Sequence, residues 1–150
     1  MSEMHPPRRT LRSIGAVVAG LVAIFLLSMG TDMVLHATGI FPPFGEPMSD
    51  ALFLLATAYR IVYGVAGSYL AARLAPDRPM RHALALGIVG VVLSTAGTVA
   101  TWGRGPEFGP KWYALVIIAS AIPCAWAGGA LRVMQLRARV GGSPGTSASV

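Results

Sequence analysis

Four long apolar runs divide the chain, and clusters of Gly, Pro or charged residues separate them. A bilayer core about 30 Å thick needs roughly 20 apolar residues in helical form. The runs at 13–37, 50–74, 81–102 and 111–136 have that length. Ser49 stands where an N-cap for the second would sit. The breaks are Gly39 to Pro47, Pro76 to Pro79 and Gly103 to Pro110, all rich in helix-breaking residues. Connections this short make consecutive helices antiparallel neighbours. The predicted fold is all-α, an antiparallel four-transmembrane-helix bundle over 13–138, with an N-terminal tail at 1–12. The Gly- and Ser-rich stretch at 139–150 is predicted to be a disordered tail.

Composition agrees with lipid as the solvent. The chain is 54% hydrophobic and 12% charged, against about 25% charged in soluble domains. A net charge of +6 could suit nucleic acid, but the charges gather at the ends of the apolar runs. The expected partner is therefore the bilayer, with no nucleic acid. The prevalence of Arg over Lys, with much Ala and Gly, points to a GC-rich bacterial genome and an inner membrane.

Charge placement orients the chain. Arg8, Arg9, Arg12, Arg73, Arg78, Arg81, Arg132, Arg137 and Arg139 fall at one end of the predicted bundle. Only Arg104 and Lys111 fall at the other, diluted by Glu46, Asp50 and Glu107. The positive-inside rule then puts both termini in the cytoplasm. Trp102, Trp112 and Tyr113 read as an aromatic belt at the outer interface. A cleaved signal peptide is the rival reading of the N-terminus. Arg8-Arg9-Thr10-Leu11-Arg12 loosely resembles a twin-arginine signal, but the apolar run continues through Met33, Val34 and Leu35.

A weak internal repeat is visible. ALFLLATA at 51–58 matches ALVIIASA at 114–121, each after a Phe-Gly near proline, and Gly30-Thr31 matches Gly97-Thr98. Duplication would make two parallel hairpins about a pseudo-two-fold along the membrane normal; the limited alphabet of apolar helices explains the match equally well.

Arg60 is the costliest residue, since a charge near the bilayer centre opposes insertion by about 2.5–3.5 kcal/mol. Ala56, Gly64, Gly67 and Ala71 lie near it at helical spacing and admit a close neighbour. Asp32, in the outer third of the first span, is the available partner. Helical side chains lean toward the N-terminus, so the two residues on antiparallel helices lean toward each other. An Asp32–Arg60 pair is expected, either as a structural clasp or as a relay site.

The third span gathers Ala83, Gly87, Gly90, Ser94, Gly97, Thr98 and Thr101 on one side, with Leu84, Ile88, Val91, Val92 and Val99 opposite. That small and polar face suits close packing or a polar lining, and Ser94 and Thr98 join Asp32 and Arg60 as the candidate intramembrane site. In the fourth span Ser120, Cys124, Ala127 and Gly128 form a similar face, and Pro123 suggests a kink. His36, Trp102, Arg104 and Glu107 are the candidate residues of the outer face.

No cofactor or metal is expected. Cys124 is the one cysteine, so no intrachain disulfide or CxxC motif exists. His36 and His82 belong to opposite ends of the bundle, and His5 lies in the tail. Met29, Met33 and His36 share a face that could suit Cu(I), though packing explains it as well. Phosphate-loop, HExxH and GxSxG motifs are missing, and no enzymatic activity is expected.

Asp77-Arg78 followed by Arg81 faintly resembles the loop between the second and third spans of major-facilitator transporters, but only over that short turn. Across its four spans, and most visibly at IFPPFGEPMSD, ATAYRIVYGVAG and TWGRGPEFGPKWY, the chain resembles small bacterial inner-membrane proteins with no assigned activity. That resemblance implies the four-span fold and no catalytic residues. The expected function is that of an accessory or structural membrane protein acting through helix–helix contacts, with another membrane protein or a second copy as partner. The alternative is a small oligomeric transporter or channel built on Asp32 and Arg60.

Overall fold

The computed structural model describes residues 6–141, with side chains from Arg8 onward. Four helices account for most of them: α1 at Pro6–Ala37, α2 at Asp50–Leu74, α3 at Pro79–Thr101 and α4 at Lys111–Gly141. A short 3-10 turn at Pro106–Phe108 lies between α3 and α4. All four helices are long and apolar enough to cross a membrane. Large apolar side chains such as Leu26, Val92, Val99 and Trp126 cover the outside of the bundle, as expected where lipid rather than water is the solvent.

The second helix has the expected bounds, and the third is displaced slightly. Ser49 occupies the N-cap position of α2, but its side chain makes no capping bond; its carbonyl accepts from the amides of Leu52 and Phe53. Helices α1 and α4 outrun their predicted spans. Proline is tolerated in a first helical turn, so Pro6 and Pro7 open α1 and the basic stretch expected as a tail continues the helix. Nothing between Ala130 and Val140 breaks α4, which continues to Gly141, the last described residue. It therefore includes the first residues of the tail expected at 139–150; the remainder of that tail, and His5, lie outside the described residues.

Glycines set the helix crossings. Helices α1 and α2 meet at Gly20 and Gly67, where a β-carbon on Gly20 would stand 2.6 Å from the Gly67 carbonyl oxygen. Helices α2 and α4 meet at Gly128, where a β-carbon would stand 2.5 Å from the Val65 carbonyl oxygen and 2.6 Å from the Tyr69 amide nitrogen. Gly64 faces Cys124 across the same interface, and Gly87 of α3 faces Ala125 of α4. The small-residue faces thus bring backbones together within one chain. Ala56, Ala71, Ala72, Ala83 and Ala125 are buried at these seams.

Helices α2 and α3 also pack on each other, and α1 packs on both, but α1 makes no comparable contact with α4. The arrangement departs from the two-fold suggested by the repeat, under which α1–α4 and α2–α3 would be equivalent. The α2–α3 turn is tight: Arg78 adopts a left-handed conformation immediately before Pro79 opens α3.

Candidate functional site

The expected ion pair forms. Arg60 Nη2 donates to Asp32 Oδ2 at 2.5 Å, joining α2 to α1. Two tyrosines complete the cluster. The Tyr59 hydroxyl donates to Asp32 Oδ1, and Arg60 Nη1 donates to the Tyr113 hydroxyl on α4. The guanidinium carbon lies 5.8 Å from the Tyr113 ring centre and 6.0 Å from that of Tyr59. Next to the pair, the Thr31 and Tyr63 hydroxyls are 2.8 Å apart. The local sequence explains the grouping: Tyr59 and Tyr63 are four residues apart, one helical turn, and both present a hydroxyl to α1. Arg60, one position on, bridges to α4.

The pair is not fully enclosed, with 32% of the Arg60 side chain and 26% of the Asp32 side chain exposed. Arg60 Nε is buried without an acceptor. A guanidinium has five N–H donors, and only two are engaged in the bonds above.

Both charged residues line a cavity of about 660 Å³ in the half of the bundle nearer the α1–α2 and α3–α4 connections. Ile24, Ser28 and Asp32 contribute from α1, Arg60 and Gly64 from α2, Leu86, Gly90 and Ser94 from α3, and Ile117, Ser120 and Cys124 from α4. The exposed side chains of Phe25, Met29, Met33 and Phe44 also line it and form its rim. Helices α1 and α3 come together at Gly20 and Leu86, at the end of the cavity away from these connections. Further toward the loops, nothing lies within 4 Å of a β-carbon placed on Gly30 or Gly97. The wall on these two helices includes Ser28 and Asp32 of α1 and Gly90 and Ser94 of α3.

The other candidates separate. Ser94 lines the cavity with its hydroxyl unbonded among the described residues, whereas Thr98 donates to the Ser94 carbonyl at 2.8 Å and borders a smaller depression beside Trp102. They do not form one polar lining. His36 is tied to the α1–α2 connection: Nδ1 is 2.6 Å from the Pro42 carbonyl oxygen, and the ring lies 3.9 Å from Phe44, centre to centre. Its Nδ1 is thus engaged by the loop, while Met29 and Met33 turn to the cavity rim. Trp102 lies under Lys111, with Nζ 5.0 Å from the ring centre. Glu107 folds over Gly105, and Arg104 is exposed in the same connection. Of the expected aromatic belt, Trp112 donates to Asp50 at 3.2 Å, but Tyr113 turns inward to Arg60.

Sequence reasoning missed Tyr59 and the inward role of Tyr113. One signal was available: Tyr59 is adjacent to Arg60, and an intramembrane charge needs more than one partner to satisfy its donors. No protein-family model, curated protein or solved structure matches the chain.

Proposed function

We propose that this is a multi-pass protein of the bacterial inner membrane, with both termini cytoplasmic, that takes a small amphiphile from the bilayer into the cavity beside Asp32 and Arg60. The topology is supported by nine basic residues at the end bearing the termini against two at the other. One observation carries the binding reading: an ion pair with unused hydrogen-bonding capacity forms part of the wall of a mostly apolar cavity bordered by exposed side chains of α1. Its volume is in the range of small-molecule sites, about 300–1,000 Å³, which combine apolar walls with a few fixed polar groups. Glycine seams absorb much of the small-residue surface that favours an accessory role. That role keeps support from Gly30 and Gly97, whose open surroundings leave room for a partner helix.

The binding reading is tested with a diazirine-bearing alkyl probe in nanodiscs containing the purified protein. Crosslinks should concentrate at Ser28, Ser94 and Ile117, and Ser94→Leu, which puts apolar bulk into the cavity in place of a hydroxyl, should weaken those at Ser28 and Ile117. Labelling spread evenly over outward residues such as Ile88, Val99 and Trp126 would remove the basis for the proposal.

A further inference from the structure

The hydrogen-bonding inventory of the cavity wall narrows the ligand. Arg60 retains a second N–H on each of Nη1 and Nη2 beyond its bonds to Asp32 and Tyr113, besides the buried Nε–H. Ser28 and Ser94 also line the cavity, and neither side-chain hydroxyl has a partner among the described residues. The third serine, Ser120, donates to the Ile117 carbonyl oxygen at 3.0 Å. Against these donors, each Asp32 oxygen already accepts one charge-assisted bond, from Tyr59 or from Arg60. Arg60 can only donate, and the serine hydroxyls can donate as well as accept, so an acceptor on a ligand can be bonded by each of these free groups. The pair is also neutral as a unit, and among the described residues no other ionisable side chain except the Cys124 thiol lines the cavity. An added full charge would enter a low-dielectric site without a counter-charge, which is unfavourable.

We infer that the cavity selects an uncharged amphiphile presenting carbonyl oxygens on an apolar body, with a carbonyl seated against Arg60 and Ser94. A carbonyl oxygen accepts without donating and needs no counter-ion. The rim suits the apolar part, because Phe25 and Phe44 offer aromatic faces and Met29 and Met33 adaptable thioether contacts. An alkyl quinone and an ester-linked glyceride both carry this chemistry.

This inference rests on the cavity being a binding site, and one competition experiment separates the two claims. The diazirine probe is displaced from wild-type protein in nanodiscs by decylubiquinone, dioctanoylglycerol, palmitic acid at a pH where it is ionised, or hexadecane. At least one carbonyl compound should displace the probe at about tenfold lower concentration than hexadecane, the increment expected of a hydrogen bond from a charged donor. Which of the two competes better identifies the source. The advantage should collapse in Arg60→Gln, with hexadecane competition unchanged. Should that variant fail to fold, Ser94→Ala should lower the advantage by a few-fold. Cavity labelling with equal competition by hexadecane, or with palmitate the best competitor, would overturn the carbonyl assignment alone. Failure of the probe to label the cavity would overturn the binding proposal with it.

Discussion

Replacing Asp32 and Arg60 singly and together measures how strongly the pair is coupled. Asp32→Asn keeps the shape of the side chain and an acceptor for Tyr59, but leaves the guanidinium without its counter-charge. Arg60→Met keeps much of the apolar stem and leaves the carboxylate with Tyr59 alone. Removing one partner of a fully buried pair costs about 3–5 kcal/mol, and exposed pairs contribute about 0–1 kcal/mol. With 32% and 26% of the two side chains exposed, an intermediate cost of about 2 kcal/mol is expected for each single change. The double variant removes both charges, so its loss should fall below the sum of the singles by about 2 kcal/mol, a factor of about 30 in the folding equilibrium. Reversible unfolding in mixed micelles, followed by tryptophan fluorescence, reads all four corners of the cycle. A coupling below about 0.3 kcal/mol, the usual scatter of additivity for independent sites, would mean that the two side chains are not a pair in the folded protein.

Further expectations concern packing, local bonding and topology. Gly128→Val should prevent stable folding, because its β-carbon would meet backbone atoms of Val65 and Tyr69 at 2.5 and 2.6 Å, whereas Gly30→Ala should be neutral or stabilising by up to about 1 kcal/mol through helix propensity. Thermal unfolding of the two purified variants checks both. Tyr63→Phe removes the partner of the Thr31 hydroxyl and should cost about 1 kcal/mol in the same assay; no measurable change would show that the bond contributes nothing. In a Cys124→Ala background, Glu107→Cys should react with a membrane-impermeant thiol reagent added to spheroplasts, and Asp77→Cys only after lysis. The reverse pattern would invert the proposed topology.

The sequence and the structure agree where one residue carries the whole signal. Asp32 and Arg60 could be matched because each is a charge in an apolar run, and the antiparallel threading set their relative heights. The span at 50–74 could be bounded because proline and polar residues flank it closely. Helix ends outside the apolar runs were less legible: Arg8, Arg9 and Arg12 mark the limit of the apolar run without interrupting backbone hydrogen bonding. Tyr113 was ambiguous because a tyrosine near a helix start serves equally in an aromatic belt or as a ligand for a buried cation. The cavity could not be read at all. It is walled by side chains of all four helices beyond the approach of Gly20 to Leu86, a property of their joint packing that no single periodicity encodes. For the same reason Ser94 and Thr98, assigned together by helical spacing, border different spaces.

The most direct test of the cavity's role is native mass spectrometry of the protein extracted gently from its own membrane. Wild type is expected to retain one small uncharged amphiphile per chain, and Ser94→Leu to retain less of it while remaining folded. A wild-type particle with no such adduct, or one in stoichiometric complex with a second protein whose helix lies between α1 and α3, would contradict the account.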